Sequence, residues 1–192
     1  MDSNKILLFE GVDGCGKDTQ IALLKEKMDF AHFKYPTHNF PILWEFLQKK
    51  RTLSEKALFH LFLADIAEEQ EKLSSTAGLR VIDRYVLSTI AYDSHYSYED
   101  AKRIVSASSF IAPDIVFLLD LPPEVAQERK MKQKQSEEVE PDRYDLDVAR
   151  LSRVRERFLK LAGDSFLCKK WVVLDATKPI EGLHKEILSH LQ

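Results

Sequence analysis

Apolar residues in this chain gather into two kinds of stretch. Five short runs, Ile6-Leu7-Leu8-Phe9, Ala31-His32-Phe33-Lys34-Tyr35, Leu79-Arg80-Val81-Ile82, Ile115-Val116-Phe117-Leu118-Leu119 and Trp171-Val172-Val173-Leu174, are each followed by polar or turn-forming residues. Between them lie longer amphipathic stretches at residues 17–28, about 41–50, 54–73, about 98–110, 123–134, 144–162 and 179–191, with Ser54 and Asp145 as candidate helix caps. Short buried strands alternating with helical crossovers are the pattern of a parallel sheet, so the chain is expected to be α/β.

No internal repeat and no Pro/Gly/Ser-rich linker divides the 192 residues, so the chain reads as one domain, 1–192. The one compositional shift is Glu128 to Asp142, dense in Lys, Gln and Glu and without apolar periodicity beyond Val139. It reads equally as a mobile lid, at about 128–143, or as a charged helix end and its loop.

Composition then removes whole classes of function. Hydrophobic residues at 44% and charged residues at 31% suit a soluble globular enzyme and argue against extended disorder. Lys plus Arg number 28 against 31 Asp plus Glu, a formal charge of -3, so no global basic field exists to hold a nucleic-acid polymer. Cys15 and Cys168 stand apart, with no spacing that suggests a disulfide framework or a zinc site. The apolar run before Glu10 is too short for a signal segment or a membrane span, so the cytoplasm is the expected address.

The most informative segment lies where the first strand hands over to the first helix: Phe9-Glu10-Gly11-Val12-Asp13-Gly14-Cys15-Gly16-Lys17-Asp18-Thr19. Its glycines let the backbone bend so that successive N–H groups point inward, and the helix N-terminus adds partial positive charge. The segment resembles a P-loop, with residues 11–19 around the phosphates of ATP and Lys17 reaching the β- and γ-phosphates. One position departs from the pattern. The residue after the lysine is normally Ser or Thr, whose hydroxyl binds Mg²⁺, and here it is Asp18, with Thr19 one step late. A carboxylate is a good hard ligand, so Asp18 is expected to stay on the metal, although its charge sits beside a polyphosphate.

A second segment, Val81-Ile82-Asp83-Arg84-Tyr85-Val86-Leu87-Ser88-Thr89-Ile90-Ala91-Tyr92, ends the third strand, on the edge where α/β folds place ligands. Asp83 offers a carboxylate near a metal, Arg84 a planar fork for a monophosphate, and Tyr92 a ring able to crowd a ribose 2′-OH. A plain Asp–Arg ion pair closing a strand, with aromatic core around it, fits the same residues.

Together with Leu118-Leu119-Asp120-Leu121-Pro122-Pro123-Glu124-Val125, Asp142-Arg143-Tyr144-Asp145 and Trp171 to Glu181, these motifs resemble the thymidylate kinase family over nearly the whole chain. The resemblance implies a three-layer P-loop NTPase fold with a five-stranded parallel sheet of order 2-3-1-4-5 flanked by helices, Mg²⁺, ATP as donor, dTMP as acceptor, and a homodimer. Asp13 then matches the acid that contacts the sugar 3′-OH, Phe62 the aromatic that stacks on thymine, Arg84 the acceptor-phosphate ligand and Tyr144 a further substrate contact, with Tyr35 in the same acceptor wall. Phe62 also fits an apolar helix stripe with Leu58 and Leu61, which would make it a core residue. One subgroup of the family carries a catalytic arginine in the P-loop and another in the lid. Gly14 occupies the loop position here, so the lid must supply the cation; Lys132, Lys134 and Arg143 are candidates, and Arg129 is the first choice by its spacing from Pro122-Pro123-Glu124.

Two departures touch the acceptor. Ile66 stands where the family usually has the arginine that reads the thymine carbonyl, and Pro36-Thr37-His38 replaces Pro-x-Arg, leaving His38 or Lys34 as a substitute phosphate ligand or His38 as an ordinary surface residue. They leave room for a kinase of dUMP or a broader deoxynucleotide set, and, with Asp18, for a nucleotide-binding protein that has lost turnover. A GTPase-like switch would need an N-K-x-D motif, and none occurs.

Overall fold

A computed structural model of the chain describes residues 4–136 and 147–191. Five strands, β1 (Ile6–Glu10), β2 (Ala31–Lys34), β3 (Arg80–Asp83), β4 (Ile115–Asp120) and β5 (Trp171–Asp175), form one sheet of order β2-β3-β1-β4-β5. Every pairing is parallel, as the family pattern implied. The apolar runs explain the order physically. β1 and β3 are buried at every residue and β4 at all but its last, because both faces of a central strand are covered; the edge strands β2 and β5 alternate. Rings of Phe9 and Phe117, 5.2 Å apart, meet in the middle of the core.

The helices are α1 (Lys17–Lys25), α2 (Pro41–Leu47), α3 (Glu55–Glu68), α4 (Gln70–Ser75), α5 (Val86–Tyr92), α6 (Tyr98–Ala107), α7 (Pro123–Ser136), α8 (Val148–Gly163) and α9 (Ile180–Ser189). α1 packs on α9, and the buried Gln20 bonds both the Ile180 carbonyl (3.1 Å) and the His184 ring (3.2 Å) across that seam. α5 packs between α3 and α8. Ser54 caps α3 by accepting from the Ala57 amide at 3.2 Å, as expected.

Several expected boundaries move. The helix expected over 54–73 is two, broken at Glu69, whose backbone (φ -91, ψ 0) leaves the helical well. The cap of α8 is Asp147, which accepts from the Arg150 amide at 2.8 Å; Asp145 lies outside the described residues. α5 was not anticipated as a helix. Five of its seven residues are buried, so it has no polar face and no amphipathic period to read. Of the segment expected to form a lid, residues 128–136 continue α7, and 137–143 lie outside the described residues.

Candidate active site

The C-terminal ends of β1, β3 and β4 converge, and the expected phosphate cradle hangs from β1. Gly11 has φ 144, and a Cβ there would stand 2.6 Å from the Leu119 carbonyl oxygen and 2.8 Å from Cys15 Sγ, so no larger residue fits where the loop crosses β4. Gly16, left-handed at φ 95, turns the chain into α1. The loop is closed from within. Lys17 is 6% exposed, and its ammonium donates to the carbonyls of Gly11 (3.1 Å) and Val12 (3.3 Å), with Cys15 Sγ at 3.5 Å. Val12 and Cys15 are buried beneath the loop, while Asp18 and Thr19 are exposed on the first turn of α1.

On the outer side of the loop, Asp13 gathers Arg84 and Tyr92 into one cluster. The Arg84 guanidinium donates to Asp13 Oδ1 (2.6 Å) and lies over the Tyr92 ring (5.4 Å), and the Tyr92 hydroxyl donates to Asp13 Oδ2 (3.0 Å). Desolvation works against the Asp13 charge, but Arg84 and Lys17 outweigh it and hold the carboxyl at about 2. Arg84 itself has φ 65, a left-handed conformation that costs a bulky residue on the order of 1–3 kcal/mol. Glu10, fully buried at the end of β1, holds that turn in place by accepting from the Tyr85 amide (2.9 Å), the Ser88 amide (3.1 Å) and the Ser88 hydroxyl (2.6 Å). Burial pushes the Glu10 carboxyl up to about 7, against the Ser88 hydrogen bond and the charges of Arg84 and Lys17.

At the expected metal end, Asp83 and Asp18 are brought together by Lys34. Its ammonium stands 3.0 Å from Asp83 Oδ2 and also bonds Asp18 Oδ1. Burial pushes the Asp18 carboxyl up, yet the hydrogen bond and charge of Lys34 prevail and hold it below the usual range. Asp83 Oδ1 is buried with no hydrogen-bond partner among the described residues. Among the described residues no group of three or more His, Cys, Asp or Glu side chains is placed to hold a metal. Two carboxylates with an unused buried oxygen suit Mg²⁺, which keeps several waters and takes its remaining ligands from phosphates.

Of the lid candidates among the described residues, Arg129 is the one set against the loop at Gly14. A Cβ on Gly14 would lie 3.7 Å from Arg129 Cβ and 3.0 Å from the Ala126 carbonyl oxygen, so α7 runs across the loop at the position where the other subgroup carries its arginine. Lys132 pairs with Glu128 along the helix (2.6 Å), Lys134 lies in the last turn of α7, and Arg143 is outside the described residues.

The expected acceptor wall comes together in part. Phe62 is half-buried and stands outside the packed core, whereas Ile66, one turn further along α3, is 2% exposed within it. The ring of His38 stacks on Trp44 (centroids 4.0 Å, interplanar 5°) in a cavity of about 520 Å³ that Lys34, Tyr35 and Thr37 also line. Tyr35 is 4% exposed with its ring 5.9 Å from that of Tyr85, and burial pushes its phenol well above the usual range. Tyr144 lies outside the described residues. Three contributors escaped the sequence reading. Glu10 carried a signal, a lone acid closing an apolar run. Asp65, buried at 0% and accepting from the Thr37 amide at 2.7 Å, and Arg150, over the second approach to the Tyr92 ring at 5.4 Å, carried none, because only the fold brings them in.

The sequence profile described as thymidylate kinase matches residues 9–187. The chain belongs to the thymidylate kinase family. It is similar to a probable thymidylate kinase of Methanocaldococcus jannaschii, 35% identical over 100% of this chain and 98% of that protein, and to the thymidylate kinase of Fervidobacterium nodosum, 31% identical over 94% of each. The solved structure of the Candida albicans thymidylate kinase shares the fold, with a TM-score of 0.79 at 23% identity over 98% of this chain and 91% of that one. Among the described residues no helix is long and apolar enough to cross a membrane.

Proposed function

We infer that the protein is the ATP-dependent kinase its family names, transferring the γ-phosphoryl group of ATP to dTMP to give dTDP. The observation that carries this reading is the arrangement of Lys17 inside the glycine loop with Arg84, just after β3, and Tyr92, at the end of α5, gathered on Asp13 of that loop. Phosphoryl transfer asks the protein to align donor and acceptor and to neutralise the moving charge, and little else. The loop amides and Lys17 would hold the donor tail. Arg84 would hold the acceptor phosphate, Asp13 the sugar 3′-OH, and Phe62 the base. Arg129 would add its charge from above Gly14 as water is excluded. Asp83 and Asp18 would hold Mg²⁺, which, when bound, spreads the charge of the β- and γ-phosphate oxygens. On the family's pattern the enzyme is a cytoplasmic homodimer working on free nucleotides.

A coupled ADP-release assay with Mg²⁺ against dTMP, dUMP, dCMP, dGMP and AMP tests the reading. The expected outcome is the highest kcat/KM for dTMP. A second reading, a broader acceptor set, is favoured by Ile66 in the core and His38 on Trp44, since neither presents a guanidinium to the acceptor; dUMP within about threefold of dTMP would select it. No ADP formed with any monophosphate would overturn both.

A further inference from the structure

We propose that Lys34 is the resident counter-cation of the Asp18–Asp83 pair, and that a divalent cation takes up these two carboxylates by displacing the Lys34 ammonium. The proposal rests on the metal reading of Asp18 and Asp83 given above.

Lys34 closes β2 as Asp83 closes β3, and the two are direct partners in the parallel register. That register sets the ammonium 3.0 Å from Asp83 Oδ2. Asp18 reaches the same ammonium from the first turn of α1, where a hydroxyl would bring no charge. Two carboxylates of like charge therefore meet at a point where one of them, the side chain of Asp83, is only 2% exposed and poorly screened by water. They need a cation between them, and with no metal bound the chain supplies its own.

The geometry also marks Lys34 as a cation that can leave. Its side chain is 53% exposed and lines the open cavity beside Thr37 and His38, so release transfers the ammonium to water and not into the core. Asp83 Oδ1 has no partner, an oxygen the lysine leaves unused and a harder, doubly charged ion would engage. Ammonium and dication cannot both hold the same two oxygens without strong repulsion, so binding of one is at the expense of the other. Asp18 and Lys34 then make one device. The carboxylate that replaces the usual hydroxyl is balanced by the lysine at rest and freed for the metal in use.

The test is Mn²⁺ binding to the full chain without nucleotide, followed by loss of the free-ion EPR signal, in the unaltered protein and in K34M, K34R and D83N. Removing the competitor should tighten Mn²⁺ binding about tenfold in K34M, about 1.4 kcal/mol. K34R, which retains a cation, should bind as the unaltered chain does. As a readout that needs no substitution, the Lys34 side-chain NMR resonances should shift as Mg²⁺ is titrated in. Equal affinity in K34M and the unaltered chain, or Lys34 resonances indifferent to Mg²⁺ while D83N weakens binding, overturns the displacement and leaves the metal reading intact. D83N without effect on Mn²⁺ binding sinks the metal reading itself.

Discussion

The proposed donor and acceptor ends of the site are built from different materials. At the donor end the work is done by main chain: Gly11 is dictated by a carbonyl 2.6 Å from where its Cβ would be, and Lys17 is held by two loop carbonyls. At the acceptor end the work is done by side chains from separate elements, Asp13 on the loop, Arg84 and Tyr92 around α5, Phe62 on α3 and His38 after β2. Backbone geometry tolerates almost no substitution, so the donor end keeps its pattern. Side-chain contacts can be exchanged, and every departure but Asp18 lies at the acceptor end.

The hardest blow to that division would be a failure at Arg129, which the proposed mechanism assigns to neither end. R129A should lower kcat on the order of a thousandfold with ATP affinity little changed, because a cation acting on the moving charge matters most in the transition state. Supplying the charge from the loop instead should not rescue it. G14R in the same chain would need a side chain on a backbone with φ 80, and a Cβ 3.0 Å from the Ala126 carbonyl oxygen, so α7 would have to shift. Single-turnover rates read both variants, and near-native turnover in R129A would move the role to another lid cation.

Glu10 offers a sharper cut, because it belongs to the donor strand yet supports the acceptor turn. Its folded pKa of about 7 lies above the usual 4.5, so between those values the folded chain keeps a proton that the unfolded chain has lost. The stability contributed by this group is therefore full below pH 4.5 and is lost as pH rises through 7. With about 1.4 kcal/mol per unit, the difference in urea-unfolding free energy between the unaltered chain and E10Q should change by about 3 kcal/mol across that window. Parallel pH profiles for the two proteins would show that Glu10 titrates alike folded and unfolded. E10Q should also raise KM for dTMP more than KM for ATP, since the turn it holds carries Arg84.

The same division explains what was legible in the sequence. The strands and the cradle were readable because parallel strands buried on both faces need unbroken apolar runs and a phosphate loop needs glycines at fixed intervals, whereas the strand order followed only from the family resemblance. α5 was hidden by being buried nearly all round, and the break at Glu69 falls within an unbroken helical pattern. Lys34 was noticed as a spare cation for the acceptor, but its bond to Asp83 depends on β2 lying next to β3, which no local pattern states. Asp65 is a polar residue that meets Thr37, 28 positions away in sequence, only in the folded chain.

The smallest expected effect separates two residues on a single helix. Phe62 and Ile66 are one turn apart on α3, and the hydrophobic pattern alone treats them alike. The structure does not: Phe62 is half-buried outside the core and Ile66 is 2% exposed inside it. A ring that stacks on a base is worth on the order of 1–3 kcal/mol, so F62A should raise KM for dTMP roughly tenfold, with thermal stability little altered. I66A removes packed methyl groups and should lower unfolding free energy by about 2–4 kcal/mol while leaving KM for dTMP nearly unchanged. If F62A instead destabilised the fold and spared KM, Phe62 would be core and the acceptor wall would lose its base platform. The departure at position 66 would then weigh more heavily, since no residue on α3 would remain to face the base.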